Sequence, residues 1–113
     1  MATTLPEQRF RALADPTRLR LLALLRDEES CVGDLVEALD LPQGTVSRHL
    51  GTLRETGLVE ARRSGAWAFY RRAEICDANR PLGEVIAEAV SELPVCAQDA
   101  RRMAQLKREG GCC

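Results

Sequence analysis

Apolar residues recur along this chain with two different periods. From Glu7 to Ala14, and again from Pro16 to about Arg26, they fall three and four apart. Phe10, Leu13 and Ala14 share a face of the first run, and Leu19, Leu22 and Leu25 recur in the second, so two helices are expected. Asp15 can cap the second, and Pro16 suits its first position. Ser30 is placed to cap a short helix from Cys31 to Leu39. The turn Asp40-Leu41-Pro42 follows, then a helix from Gln43 to Thr56 that Gly57 ends. At Leu58 the period changes to that of strands: Leu58 to Arg63 and Trp67 to Arg72 read as a two-stranded ribbon around the turn Ser64-Gly65-Ala66. Helical spacing resumes after Asp77, with Leu82, Val85, Ile86, Ala89, Val90 and Leu93 on one stripe. Pro94 interrupts it, and a last helix runs from Val95 to about Glu109.

The fold class expected is mainly α with a small β-ribbon. Its element order is that of a winged helix-turn-helix whose N- and C-terminal helices form a dimer interface. Residues 1–109 make one domain, with the helix-turn-helix at 31–57, the wing at 58–72, dimerisation and sensor helices at 79–109, and a cysteine tail at 110–113.

The helix from Gln43 has two sides. At about 100° per residue, Val46, Leu50 and Leu53 cluster inward, and Gly44, Ser47, Arg48 and Gly51 lie opposite. A face without bulk lets a backbone approach a DNA groove, and Arg48 can pair with guanine or phosphate. Gln43 and Thr45, at the helix start, can reach base edges or phosphate oxygens. His49 falls beside the inward stripe and reads as a structural, hydrogen-bonded histidine. Arg62 and Arg63, close to the ribbon tip, can touch phosphates or a minor groove. Arg71 and Arg72 read as a solvated face, and Trp67, Phe69 and Tyr70 as packing the ribbon onto the helices.

Charge sharpens this picture. The net charge is −1, but residues 43–72 carry six arginines and two acids while the remainder is acidic. An acidic body with one basic segment fits local contact with a polyanion. No apolar run approaches the roughly 20 residues of a membrane span, and Met1 to Pro6 lack the pattern of a signal peptide, so a cytoplasmic location with no membrane partner is expected. In that compartment thiols stay reduced, and five cysteines make a poor disulfide framework.

The segments Phe10-Arg-Ala-Leu-Ala-Asp-Pro-Thr-Arg-Leu-Arg-Leu-Leu22, Val46-Ser-Arg-His-Leu50, Leu53-Arg-Glu-Thr-Gly-Leu-Val59 and Gly65-Ala-Trp-Ala-Phe-Tyr70 resemble, in order and spacing, the ArsR-type metal-responsive repressors. The resemblance runs from about residue 7 to 93. It implies a homodimeric winged-helix repressor, not an enzyme, that binds double-stranded operator DNA with an inverted repeat and lets go when a ligand binds. The arsenic-responsive branch often carries Cys-Val-Cys-Asp-Leu-Cys before the reading helix. Here that segment is Cys31-Val32-Gly33-Asp34-Leu35-Val36, with one cysteine of the three. Zinc-sensing relatives use histidine and carboxylates on the C-terminal helix, where this chain has no histidine.

The thiols left for sensing are Cys96 and the adjacent pair Cys112 and Cys113. Trivalent arsenic or antimony favours three soft thiolates, and no organic cofactor is called for. If residues 96 to 112 were one helix, the ends would lie about 24 Å apart. The tail must then fold back, or the site joins two subunits, with one chain's Cys96 meeting the other's tail in an antiparallel pairing of final helices; the intersubunit arrangement is the favoured one. Cys31 and Cys76 read as structural. Two other chemistries stay open for the same thiols: a redox or divalent-metal (cadmium, zinc, lead) sensor on the same fold, and a small thiol-dependent metalloid reductase.

Overall fold

The structure, a computed structural model, describes residues 5–111. Its elements are α1 (Pro6–Leu13), α2 (Pro16–Leu24), β1 (Ser30–Cys31), α3 (Val32–Leu39), α4 (Gln43–Glu55), β2 (Val59–Ser64), β3 (Trp67–Arg72), a short 3-10 turn (Glu74–Cys76), α5 (Pro81–Ser91) and α6 (Pro94–Arg108). No helix among the described residues is long and apolar enough to cross a membrane. The expected elements are present. The Asp15 carboxylate accepts hydrogen bonds from the Thr17 and Arg18 amides at 2.8 and 3.1 Å, which satisfies two donors at the start of α2. Gly57 follows the end of α4 with a φ of 75°, a conformation that costs any side-chain-bearing residue.

Two expectations about residues 30–31 fail together. Ser30 does not cap α3; the N-cap is Cys31, with no side-chain bond. Ser30 and Cys31 instead form β1, antiparallel to β3, with Ser30 opposite Tyr70 and Cys31 opposite Phe69. The wing is therefore a three-stranded sheet in the order β1-β3-β2, not a two-stranded ribbon. The extended backbone that leads into α3 passes the open edge of β3, and ladder hydrogen bonds there replace the bond a serine cap would make. Ser30 is almost fully buried, and its hydroxyl lies 3.4 Å from Lys107 Nζ on α6.

The core sits where α2, α3, α4 and α5 converge. Leu21, Leu22, Leu35, Val46, Leu50 and Leu53 have no exposed surface. These are the inward positions of helical stripes, each contributing roughly 1.5–3 kcal/mol by leaving water. Across this core α6 lies antiparallel to α3. Going along α6, Asp99 meets Arg20, which also donates to the Leu39 carbonyl at 3.0 Å. Arg102 donates to the Glu37 carbonyl at 2.9 Å, and Lys107 pairs with Glu28 at 2.6 Å. Partners thus descend from the end of α3 to its beginning.

On the other flank apolar side chains remain uncovered. Phe10 on α1 and Val85 on α5 are 60% and 50% exposed and line one shallow groove with Ile75, Pro81 and Leu82. Phe10 was expected to share a face with Leu13 and Ala14; of the three only Leu13 is buried, with Ala12 beside it. Trp67, expected to pack on the helices, is 46% exposed. It opens β3 directly after the two-residue turn, beyond the reach of the helical body.

Candidate nucleic-acid interface and thiol sites

α4 presents the two sides its sequence demands. Val46, Leu50 and Leu53 are fully buried, while Gln43, Ser47 and Arg48 are exposed and Thr45 is half-buried. A half-buried strut links the helix to α1 and α2. The Arg18 guanidinium donates to the carbonyls of Ala12 and Arg11 and, at 3.2 Å, to Nδ1 of His49. His49 is 8% exposed, and burial pushes its pKa below the ordinary 6.5, with the nearby Arg18 and Arg48 charges acting in the same direction and Asp15 opposing. It is therefore a structural histidine that accepts from Arg18 in its neutral form.

That shift has a consequence for stability. A histidine held neutral in the fold binds its proton more readily once unfolded. Its contribution is fully present above pH 6.5 and is lost as pH falls through the lower folded value. The expected result is a drop in urea midpoint on acidification from pH 7 towards 5 that is shallower in His49→Gln. Equal slopes for the two proteins would show that His49 does not supply it.

The wing arginines divide differently from expectation. Arg62 is not simply presented outward. Its guanidinium chelates Glu29, with Nε 3.0 and 3.1 Å from the carboxylate oxygens, and lies 4.6 Å from the centre of the Phe69 ring. The pairing holds Arg62's pKa up and the Glu29 carboxyl down. Arg63, opposite Ala68 and next to the tip, is exposed. Arg71 pairs with Glu60 at 2.7 Å. Arg72 is half-buried and donates to the carbonyls of Leu22 and Cys76, so it fastens the wing to α2 and the 3-10 turn. The basic segment therefore leaves the polar face of α4 and the tip of the wing exposed, with Arg62 already sharing its charge.

The cysteines occupy three environments. Cys76 has no exposed surface, points its Sγ at the Leu58 carbonyl 3.5 Å away, and burial pushes its thiol pKa up; it is a core residue, as expected. Cys96, in the first turn of α6, is 6% exposed, and its thiol pKa is also raised, by burial first and then by Asp99. It lines an apolar groove with Leu24, Ile86, Val90 and Leu93. Cys31 is 1% exposed and disulfide-bonded, whereas Cys76 and Cys96 are free. The expectation of wholly reduced thiols fails at Cys31: an odd cysteine count argues against a full framework, not against a single bridge. The expected ligands Cys112 and Cys113 lie outside the described residues.

Among the described residues no cluster of three histidine, cysteine or acidic side chains is placed to hold a metal. Cys96 is separated from the end of α6 by about 18 Å of helix axis.

The chain's resemblances agree with this geometry. The profile described as "Bacterial regulatory protein, arsR family" matches residues 15–61. The arsenical resistance operon repressor of Escherichia coli K12 is 50% identical over 72 residues, which are 63% of this chain and 62% of that protein. The HTH-type transcriptional repressor SmtB of Mycobacterium tuberculosis H37Rv is 40% identical over 82 residues, 73% of this chain and 57% of that one. The chain thus spans less than two thirds of these relatives. Among solved structures, reduced HlyU from Vibrio cholerae superposes with a TM-score of 0.65 at 30% identity, over 78% of this chain and 87% of that chain. The homodimeric winged helix-turn-helix DNA-binding domain Mb0332 from Mycobacterium bovis, a possible ArsR-family transcriptional regulator, superposes with 0.63 at 32% identity, over 76% and 77%. Sequence, fold and the exposed polar face of α4 converge: the chain belongs to the ArsR family of bacterial regulatory proteins.

Proposed function

We propose that the protein is a homodimeric transcriptional repressor that releases operator DNA when its thiolates capture trivalent arsenic or antimony. The observation that carries the DNA half is the exposed polar face of α4, held from behind by a fully buried stripe. Gln43, Thr45, Ser47 and Arg48 enter the major groove of an inverted repeat, one copy per half-site. Arg63 touches backbone or minor groove near the wing tip, and Arg62 joins it where phosphate replaces Glu29. The uncovered flank of Phe10 and Val85 supports dimerisation through α1 and α5.

The sensing half draws support from the relative named an arsenical resistance operon repressor and from the soft donors Cys112 and Cys113. A third sulfur completes the site. We favour Cys96 of the partner subunit as that sulfur, one chain's Cys96 meeting the other's tail, over a tail that folds back on its own subunit. Release requires the ion to bind the DNA-free dimer more tightly than the DNA-bound one, and about 1–3 kcal/mol of such coupling suffices.

The test is operator binding by reduced protein with and without arsenite or antimonite. The full chain is expected to dissociate and a variant truncated after Glu109 to stay bound. A truncated variant that still dissociates overturns the thiol-tail reading. The disulfide at Cys31 favours a second reading, a redox sensor on the same fold. Operator release by peroxide, reversed by dithiothreitol and indifferent to arsenite, would establish that reading in place of the first.

A further inference from the structure

We propose that Glu29 is an internal stand-in for phosphate that holds DNA affinity down, occupying the wing arginine Arg62 until a duplex competes for it. This rests on the DNA-binding half of the reading above. It names a residue outside both α4 and the wing strands that sets how tightly the complex holds.

The observation is a charged cluster on the outer face of the sheet. Alternation along β2 and β3 puts Glu60, Arg62, Phe69 and Arg71 on one side, with Arg62 opposite Phe69 and Glu60 opposite Arg71. Arg72, one residue on, is turned the other way and bonds to the body. The connection before β1 brings Glu29 to this outer face. Its carboxylate accepts from Nε of Arg62 at 3.0 and 3.1 Å and also from Nη2. A guanidinium binds phosphate in the same side-on, two-pronged geometry.

Exposed ion pairs are ordinarily loose, because two long side chains must be held in one arrangement. Here both partners are held by other contacts. Glu28, on one side of Glu29, pairs with Lys107 of α6 at 2.6 Å. Ser30, on the other side, is buried and lies opposite Tyr70 in the sheet. The backbone that carries Glu29 is thus fastened on both sides. Arg62, for its part, lies with its guanidinium 4.6 Å from the centre of the Phe69 ring, an attraction that does not need Glu29.

That last contact decides the sign of the effect. Were Glu29 the group that aims Arg62, its loss would weaken DNA binding. With Phe69 and the strand register already aiming the side chain, its loss removes only a competitor. More than half of the Arg62 side chain is exposed, so a phosphate can approach it. The phosphate either displaces the carboxylate, which breaks the pair, or settles beside it, which sets two anions on one cation. Both cost affinity, and neither cost arises with a neutral glutamine at position 29.

The test uses full-length, reduced protein and a duplex that the parent selects from random sequence, with binding measured at several salt concentrations. Glu29→Gln is expected to bind about three- to fivefold more tightly, the upper range for an exposed pair. Its salt dependence should steepen by up to about one, since Arg62 then brings its full charge to the backbone. In an Arg62→Ala background Glu29→Gln should gain nothing. Parent-like or weaker binding by Glu29→Gln overturns the proposal, the weaker result marking Glu29 as a support for Arg62. A gain that survives Arg62→Ala also overturns it, because the effect is then one of overall charge. If Arg48→Ala weakens binding while Glu29→Gln does not strengthen it, DNA binding through α4 stands and the Glu29 proposal alone falls. A parent that selects no duplex overturns both.

Discussion

Asp99→Ala is expected to destabilise the fold by about 3 kcal/mol, a large share of the roughly 5–15 kcal/mol that holds a domain together. Asp99 is 2% exposed, and both its oxygens accept from Arg20 at 2.8 Å. The same guanidinium donates to the Leu39 carbonyl, one of the orphan acceptors at the end of α3. One ion pair thus ties α2, α3 and α6, and it is why the pKa of Arg20 is raised. Removing the carboxylate strands a largely buried cation, and that penalty exceeds what the pair itself contributes. Replacing both partners by apolar residues, Arg20→Met with Asp99→Leu, should recover most of the loss. Urea unfolding of the three variants measures this. A single-mutant loss under about 1 kcal/mol would show that water reaches Arg20 and screens it.

Arg48→Ala should weaken operator binding by about 5- to 150-fold, the equivalent of the roughly 1–3 kcal/mol that one good arginine–base pairing confers. Arg48 is exposed on α4 and belongs to no buried contact, so stability should change by less than about 0.5 kcal/mol. Binding measured at several salt concentrations separates its two possible partners. Loss of discrimination against mutated operators with an unchanged salt slope marks a base contact. A uniform loss with a slope shallower by about one marks a phosphate. Parent-like affinity would remove α4 from the interface and with it the DNA half of the proposed function.

Most of the architecture was legible because it depends on local periodicity. The stripe Val46, Leu50, Leu53 fixes which side of α4 faces water, and Asp15 before Pro16 fixes where α2 begins. What escaped was whatever depends on distant segments meeting. β1 is two residues long and has no period to display. Arg62 looked available to DNA because nothing in its neighbourhood reveals a partner 33 residues upstream. Trp67 was assigned to the helices on hydrophobicity alone, which does not say whether a neighbour exists to receive it. The approach of Gly111 to Asp34 on α3 joins residues roughly eighty apart in sequence, and the paired glycines announced a helix stop without saying where the chain would go next.

The hydrogen bonds between Ser30–Cys31 and Tyr70–Phe69 have a mechanical corollary. A hairpin attached only at its base could swivel, following the contour of whatever it touched. Here a segment from the front of the molecule is stitched to its middle strand, and Arg72 bolts the same strand to the body. The wing cannot pivot without dragging the beginning of α3 along. A wing fastened both to β1 and to α2 moves with the body, so a displacement at the start of α3 is a displacement of β3 as well.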